Sequence, residues 1–219
     1  MSRSPISRLR PTGKSGALAV STNEFYRYFS SGKGQLWERQ ALCKARPVFG
    51  VDANCKRITE MVQRIILGQT WLPEMAGEIQ KMRLAMQKDC NSRNLKRGRG
   101  GTVDIEFAIQ MLQLKYAKTN PEVLVPGTLK AIAQLELAGF LDRELGEILR
   151  TGYRLLRTVE ARLRLMNTAA RHDLPECKKQ MDKLAFLLQY ENADQLEMVV
   201  DEQRRKIRDT FDDIFASVE

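Results

Sequence analysis

The chain has 219 residues, with 36 Lys and Arg against 27 Asp and Glu, and 43% hydrophobic residues of which few are aromatic. That is enough to bury one good core or two small ones, and it excludes an extensively disordered or collagen-like chain. No apolar run approaches the roughly 18 residues of a membrane span, and the arginines within Met1–Arg10 precede no apolar leader, so a soluble, unexported, cytoplasmic protein is expected.

In chain order, Ser15–Ser21 has the short, turn-bounded pattern of a strand. Ser21-Thr-Asn-Glu24 reads as a capping box opening a helix through Phe25, Tyr26 and Tyr28, which Gly32-Lys33-Gly34 ends. A second helix, Leu36–Ala45, stops at Arg46-Pro47, because a proline ring disfavours helical geometry in the residue before it. Val51–Leu67 and Pro73–Lys88 are two longer helices. Asn91–Gly101, with Arg93, Lys96, Arg97 and Arg99 among Gly98, Gly100 and Gly101, must be a loop.

Thr102 is placed to cap the next helix, and Asp104 and Glu106 in its first turn complement the positive end of the helix dipole. Two apolar stripes, Ile105, Ala108, Ile109, Leu112 and Tyr116, and Val103, Phe107, Met111 and Leu114, predict a central helix. Its polar remainder, Glu106, Gln110 and Gln113, shares a face that meets solvent or lines a cleft. A helix from Thr128 to Ala138 follows, then a long one capped by Asp142 and reaching about Ala170, whose arginines (Arg150, Arg154, Arg157, Arg164) are expected in solvent. Pro175 starts another helix, and Asn192-Ala-Asp-Gln195 opens the last. The fold class is therefore mainly α, a multi-helix bundle-like domain preceded by a short strand.

Charge is uneven. Met1–Val103 holds 19 basic and 7 acidic residues, Asp104–Glu219 17 and 20, which points to an anionic partner near the first half. Cys43, Cys55, Cys90 and Cys177 lie far apart without C-x-x-C spacing, and His172 is the lone histidine, so reduced thiols are expected and a zinc site is not. No nucleophile with an identifiable base and no complete Walker loop is present. Gly32-Lys33-Gly34 and Gly98-Arg99-Gly100-Gly101 resemble phosphate cradles superficially. In Arg8-Leu-Arg-Pro-Thr-Gly-Lys-Ser-Gly16, two arginines alternate on a strand-like segment, and a turn with Gly13, Ser15 and Gly16 could let backbone amides approach an anion. The geometry suits a triphosphate, or the arginines bind acidic side chains of a neighbour.

Arg8-Leu-Arg-Pro-x-Gly-x-x-Gly16, Trp37-Glu-Arg-Gln-Ala-Leu-x-Lys-Ala-Arg-Pro-Val48, Lys96-Arg-Gly-Arg-Gly-Gly-Thr-Val-Asp-Ile-Glu-Phe107 and Gln110-x-Leu-Gln-Leu114 together resemble the glutamine synthetase adenylyltransferase family, bifunctional enzymes that add AMP to, and remove it from, a tyrosine of glutamine synthetase. The resemblance implies two units: residues 1–21 as the remnant of an α/β nucleotidyltransferase sheet, and residues 22–219 as the helical domain shared with uridylyltransferases of the PII signal protein. It implies Mg²⁺ and ATP as cofactors of the full-length enzymes and glutamine synthetase as partner, with the PII protein a second candidate. Neither nucleic acid nor a membrane is expected as a partner, and the N-terminal strand offers a route to self-association.

Such enzymes hold Mg²⁺ on a Gly-Ser motif, an Asp-x-Asp pair and a third Asp two residues before the first Arg of the Arg-Leu-Arg-Pro block. Ile6 stands at that last position, and the other parts would precede Met1. Without the charge neutralisation that metal supplies, the chain alone is expected to be inactive, with no catalytic or metal-binding residue and no tightly bound cofactor. It is then a fragment or helical part of the enzyme. The alternative is a non-catalytic helical module that docks glutamine synthetase or a PII-type protein. Arg8, Arg10, Gly13, Ser15, Gly16 and Glu106 are the candidate nucleotide-binding residues. Trp37, Glu38, Arg46, Lys96, Arg97, Arg99 and Asp104 are candidate structural or partner-facing ones, with a Glu38–Arg46 pair under Trp37 a sufficient structural account of the second block. Asp104 and Glu106 lie about 200° apart around their helix and cannot share one metal.

Overall fold

The computed structural model describes residues 19–88, 90–166 and 172–218, and in these the chain is helical. The expected strand lies outside the described residues except for Ala19–Ser21, which form a non-helical lead into the first helix. Helix α1 (Thr22–Ser30) opens on the expected box: the Glu24 amide donates to Ser21 Oγ and the Ser21 amide to Glu24 Oε2, both at 3.1 Å. Helix α2 (Leu36–Leu42) is shorter than the sequence suggests. Its chain continues to Ala45 in a tighter winding, with the amides of Cys43, Lys44 and Ala45 each bonded three residues back, which satisfies terminal carbonyls without another α-turn.

Helices α3 (Asp52–Leu67), α4 (Glu74–Lys88) and α5 (Thr102–Tyr116) follow. A 3₁₀ turn at Pro121–Val123 leads to α6 (Thr128–Leu137), α7 (Arg143–Leu165), α8 (Lys178–Leu187) and α9 (Ala193–Ala216). Asp142 and Asn192 cap α7 and α9 through their side chains, as expected. Helix α8 starts three residues after Pro175, because Leu174 and Pro175 are tied to the 91–101 loop: the Leu174 amide donates to the Arg93 carbonyl at 3.1 Å, and Arg93 Nη2 to the Pro175 carbonyl at 2.9 Å. The expected end of the long helix, near Ala170, lies outside the described residues.

Helix α5 is central. It packs against α2, α4, α6, α7 and α9, and Ile105, Ala108, Ile109, Met111 and Leu112 are all buried. At about 1.5–3 kcal/mol per fully buried large side chain, this packing outweighs any intrinsic helix preference of the segment. The long α7 and α9 pack on each other and on α5. Gly152 permits their approach, since a Cβ there would stand 2.6 Å from Ile207 Cδ1. No helix among the described residues is long and apolar enough to cross a membrane.

Candidate functional site

Of the candidate residues, Arg8, Arg10, Gly13, Ser15 and Gly16 lie outside the described residues. The remainder fall into three places.

The first is the start of α2. Glu38 is buried and accepts hydrogen bonds from the Tyr28 hydroxyl and the Gln35 amide, both at 2.9 Å. The expected Glu38–Arg46 pair is therefore not formed. Helix α2 has ended by Arg46, and the proline after it keeps Arg46 in an extended, exposed segment. Half-buried Trp37 donates its indole N–H to Gln35. The buried cation of this block is Arg39, which donates to the Ile65 carbonyl and, at 2.9 Å, to the Phe29 carbonyl, closing the last turns of α3 and α1.

The second is the 91–101 loop and the start of α5. The carbonyl of Gly98 accepts from buried Arg83 of α4 at 2.9 Å, and the Gly100 amide donates to Asp104 Oδ2 at 2.7 Å. Asn94 Oδ1 receives the amides of Lys96 and Arg97, and Arg204 of α9 donates to the carbonyls of Ser92 and Arg99. A Cβ on Gly100 would lie 1.9 Å from the Arg204 carbonyl oxygen. Gly100 thus admits the backbone of α9, Gly98 and Gly101 lie against carbonyls of their own loop, and the amides of all three are engaged within the loop or by Asp104 of α5. Arg97 and Arg99 are exposed, and Lys96 is half-buried.

Asp104 is fully buried and ion-paired with Arg83 Nε, with Arg208 Nη1 of α9 at 3.7 Å. Burial pushes its carboxyl upward against the opposing pull of Arg83, Arg208 and the Gly100 amide, and burial also lowers Arg83. The cap of α5 is Gly101 rather than Thr102, which is already helical, and Asp104 reaches back to the loop from within the first turn.

The third place is the polar face of α5. Its expected exposure to solvent or an open cleft is not what forms, because α2 covers it antiparallel: Gln40 Nε2 donates to Gln110 Oε1 at 3.0 Å, and Lys44 Nζ meets Glu106 Oε1 at 2.8 Å. Gln113 turns inward and donates to the carbonyls of Val123 and Val125. Only Glu106 keeps access, with 18% of its side chain exposed, and it also accepts from the Tyr153 hydroxyl of α7 at 3.4 Å.

Among the arginines expected in solvent on α7, Arg150 is half-buried and bridges Glu136 and Glu147, and Arg157 pairs with buried Glu160. Glu160 also meets His172 Nδ1 at 2.7 Å. No three His, Cys, Asp or Glu side chains among the described residues come together as a metal cluster.

Sequence reasoning missed Arg39, Arg83, Arg204 and Arg208. Each sits on an otherwise ordinary amphipathic helix, and its acceptor comes from a distant part of the chain. The one available signal was Asp104, a carboxylate flanked by apolar residues on a helix apolar on two sides.

Two family models match: GlnD PII-uridylyltransferase over residues 74–215, and glutamate-ammonia ligase adenylyltransferase over residues 7–61. Among similar curated proteins are bifunctional glutamine synthetase adenylyltransferase/adenylyl-removing enzymes. That of Mycobacterium tuberculosis is 33% identical over 77% of this chain and 17% of its own length. The Corynebacterium glutamicum protein is 35% identical over 80% of this chain and 17% of its own length. The Xanthomonas axonopodis pv. citri protein is 32% identical over 95% of this chain and 22% of its own length. The chain therefore spans about a fifth of the length of these relatives.

Proposed function

The chain belongs to the glutamine synthetase adenylyltransferase family, and from that premise we propose that residues 22–219 are the helical domain of such an enzyme and residues 1–21 the edge of its nucleotidyltransferase sheet. The parent transfers AMP from ATP, with Mg²⁺, to a tyrosine of glutamine synthetase, reverses the modification, and so regulates nitrogen assimilation. Arg8 and Arg10 contact nucleotide phosphate there, backed by the turn of Gly13, Ser15 and Gly16. Glu106 faces the nucleotide cleft from the helical side, next to Lys44. The exposed Arg97 and Arg99 are partner-facing.

The supporting observation is the state of the two carboxylates in the third matched block. Asp104 is buried against Arg83 and Arg208, while Glu106 is paired with Lys44 on another side of α5. Neither is free to grip a shared cation, which supports a scaffold role for α5 and leaves metal chemistry to other parts of the parent. When bound, Mg²⁺ would neutralise charge on the transferring phosphate. This chain alone, incubated with labelled ATP, Mg²⁺ and glutamine synthetase, is expected to incorporate no label into the synthetase. Sustained incorporation would overturn the reading.

A second reading, a docking module for glutamine synthetase or a PII-type protein, is favoured by the segment after α2, where Val48 is 82%, Phe49 97% and Val51 66% exposed. A Phe49→Ser substitution that abolishes co-sedimentation with one of these proteins would support it. Equal binding by the variant would count against it.

A further inference from the structure

Two apolar hollows of about 260 and 350 Å³ adjoin beside α1, α2 and α3, with Phe25, Leu42 and Ala45 in the walls of both. They stay open because α1 buries Phe29 alone and α3 buries Ile65 and Ile66 alone, which leaves Phe25, Ile58, Met61 and Val62 partly exposed around the first hollow. Among the described residues, Arg46 is the one charged member of its lining. The second hollow leads past Trp37 to Lys44, the partner of Glu106.

Exposed Val20 stands in the wall of the first hollow, directly after the apolar run Ala17-Leu18-Ala19. The residues that precede Ala19 therefore join the described part of the chain at the rim of this groove. A segment tethered at the rim competes for the groove at an effective concentration on the order of millimolar, which a second copy or a separate protein at micromolar concentration does not match.

We propose that the groove seats the chain's own residues 15–18, with Leu18 filling the first hollow beside Val20 and the preceding residues crossing Phe25 and Leu42 toward Lys44. In an extended run Leu18 falls on the same side as Val20, two residues on, so one apolar face serves both. Seating draws residues 8–16 toward the side of the helices that carries Glu106. That consequence, unlike the seating itself, rests on the nucleotide role proposed above for Arg8, Arg10 and Glu106. Val48 and Phe49 line neither hollow and stay available to a separate partner.

Oxidation of Met61 by hydrogen peroxide in the full chain, read by peptide mass spectrometry with exposed Met198 as the internal reference, reports whether the groove is covered. Met61 should react more slowly than Met198. Leu18→Asp should speed Met61 at least about fivefold and leave Met198 unchanged, since burial of one leucine shifts such an equilibrium by about tenfold or more. Continued protection of fully buried Met111 in that variant shows that the helices stay folded. Leu18→Met, which keeps an apolar side chain of similar size, should retain the protection of Met61. Equal Met61 rates in the wild-type chain and Leu18→Asp would overturn the proposal. So would protection that disappears on dilution by about a hundredfold, which assigns the groove to a second copy. Unexpected label transfer in the assay with ATP and glutamine synthetase would leave Met61 protection as it is, so the two readings fail separately.

Discussion

Arg83 of α4 and Asp104 of α5 form an ion pair in which neither side chain is exposed at all. The pair stands where α4, α5, α9 and the 91–101 loop meet, since Arg83 also holds the Gly98 carbonyl and Asp104 also holds the Gly100 amide. Removing one partner from such a pair typically costs about 3–5 kcal/mol, because the other is left as a buried charge. Arg208, 3.7 Å from Asp104, moderates the loss when Arg83 is removed. Arg83→Met is therefore expected to destabilise the chain by about 3 kcal/mol in urea unfolding. Asp104→Asn, which leaves the buried Arg83 uncompensated while Arg208 keeps its pair with Asp212, should cost at least as much. A loss below about 1 kcal/mol for either would show that the pair adds little beyond what packing supplies.

Gly100 and Gly32 both have positive φ, at +68° and +79°, but their surroundings differ. A methyl group on Gly100 would meet the backbone of Arg204, which cannot swing aside, whereas one on Gly32 would meet open space. Gly32→Ala should cost about 1 kcal/mol, the price of left-handed backbone for an L-residue. Gly100→Ala adds a backbone collision that pushes α9 from the loop, and a loss above about 3 kcal/mol is expected. Similar melting temperatures for the two variants would contradict the close approach.

Glu106 is where structural and functional roles can be separated. Its pair with Lys44 is partly exposed, with 44% of the lysine side chain accessible, and such pairs contribute about 0–1 kcal/mol. Glu106→Gln should leave stability within about 1 kcal/mol of the parent chain. In a full-length enzyme of the family, the same substitution should lower AMP transfer at least about tenfold, the loss of one contact to the nucleotide side of the cleft. Unchanged transfer would assign Glu106 to packing between α2 and α5.

Three helix starts were legible because their signals are local. Ser21 with Glu24, Asp142 and Asn192 each satisfy amides within three residues, and the structure forms all three caps. The central place of α5 was legible too, because its two apolar stripes leave little polar surface. That residues 91–101 form a loop was legible as well, but the role of its glycines was not, since Gly100 answers to the Arg204 backbone, about a hundred residues away, and no local pattern distinguishes that demand from a phosphate cradle. Glu38 likewise chose Tyr28 over the expected Arg46, because the end of α2 at Leu42 depends on tertiary packing as well as on Pro47.

Cys43 links burial in this region to pH. The thiol is 5% exposed, lies 3.9 Å from the Arg39 carbonyl, and is pushed by burial up to about 12 from an ordinary value of 9.0. Between these values the unfolded chain has released the proton and the folded chain has not, so stability falls as pH rises through that interval. The slope approaches about 1.4 kcal/mol per pH unit for a single group. From pH 8 to pH 10 the wild-type chain should therefore lose about 1 kcal/mol more in urea unfolding than Cys43→Ala, whose other titrating groups are the same. In the native chain iodoacetamide should also modify exposed Cys177 well before Cys43, because the thiolate is the reactive form and burial suppresses it. Parallel pH profiles for the two proteins, or early alkylation of Cys43, would mean that water reaches the thiol beneath α2.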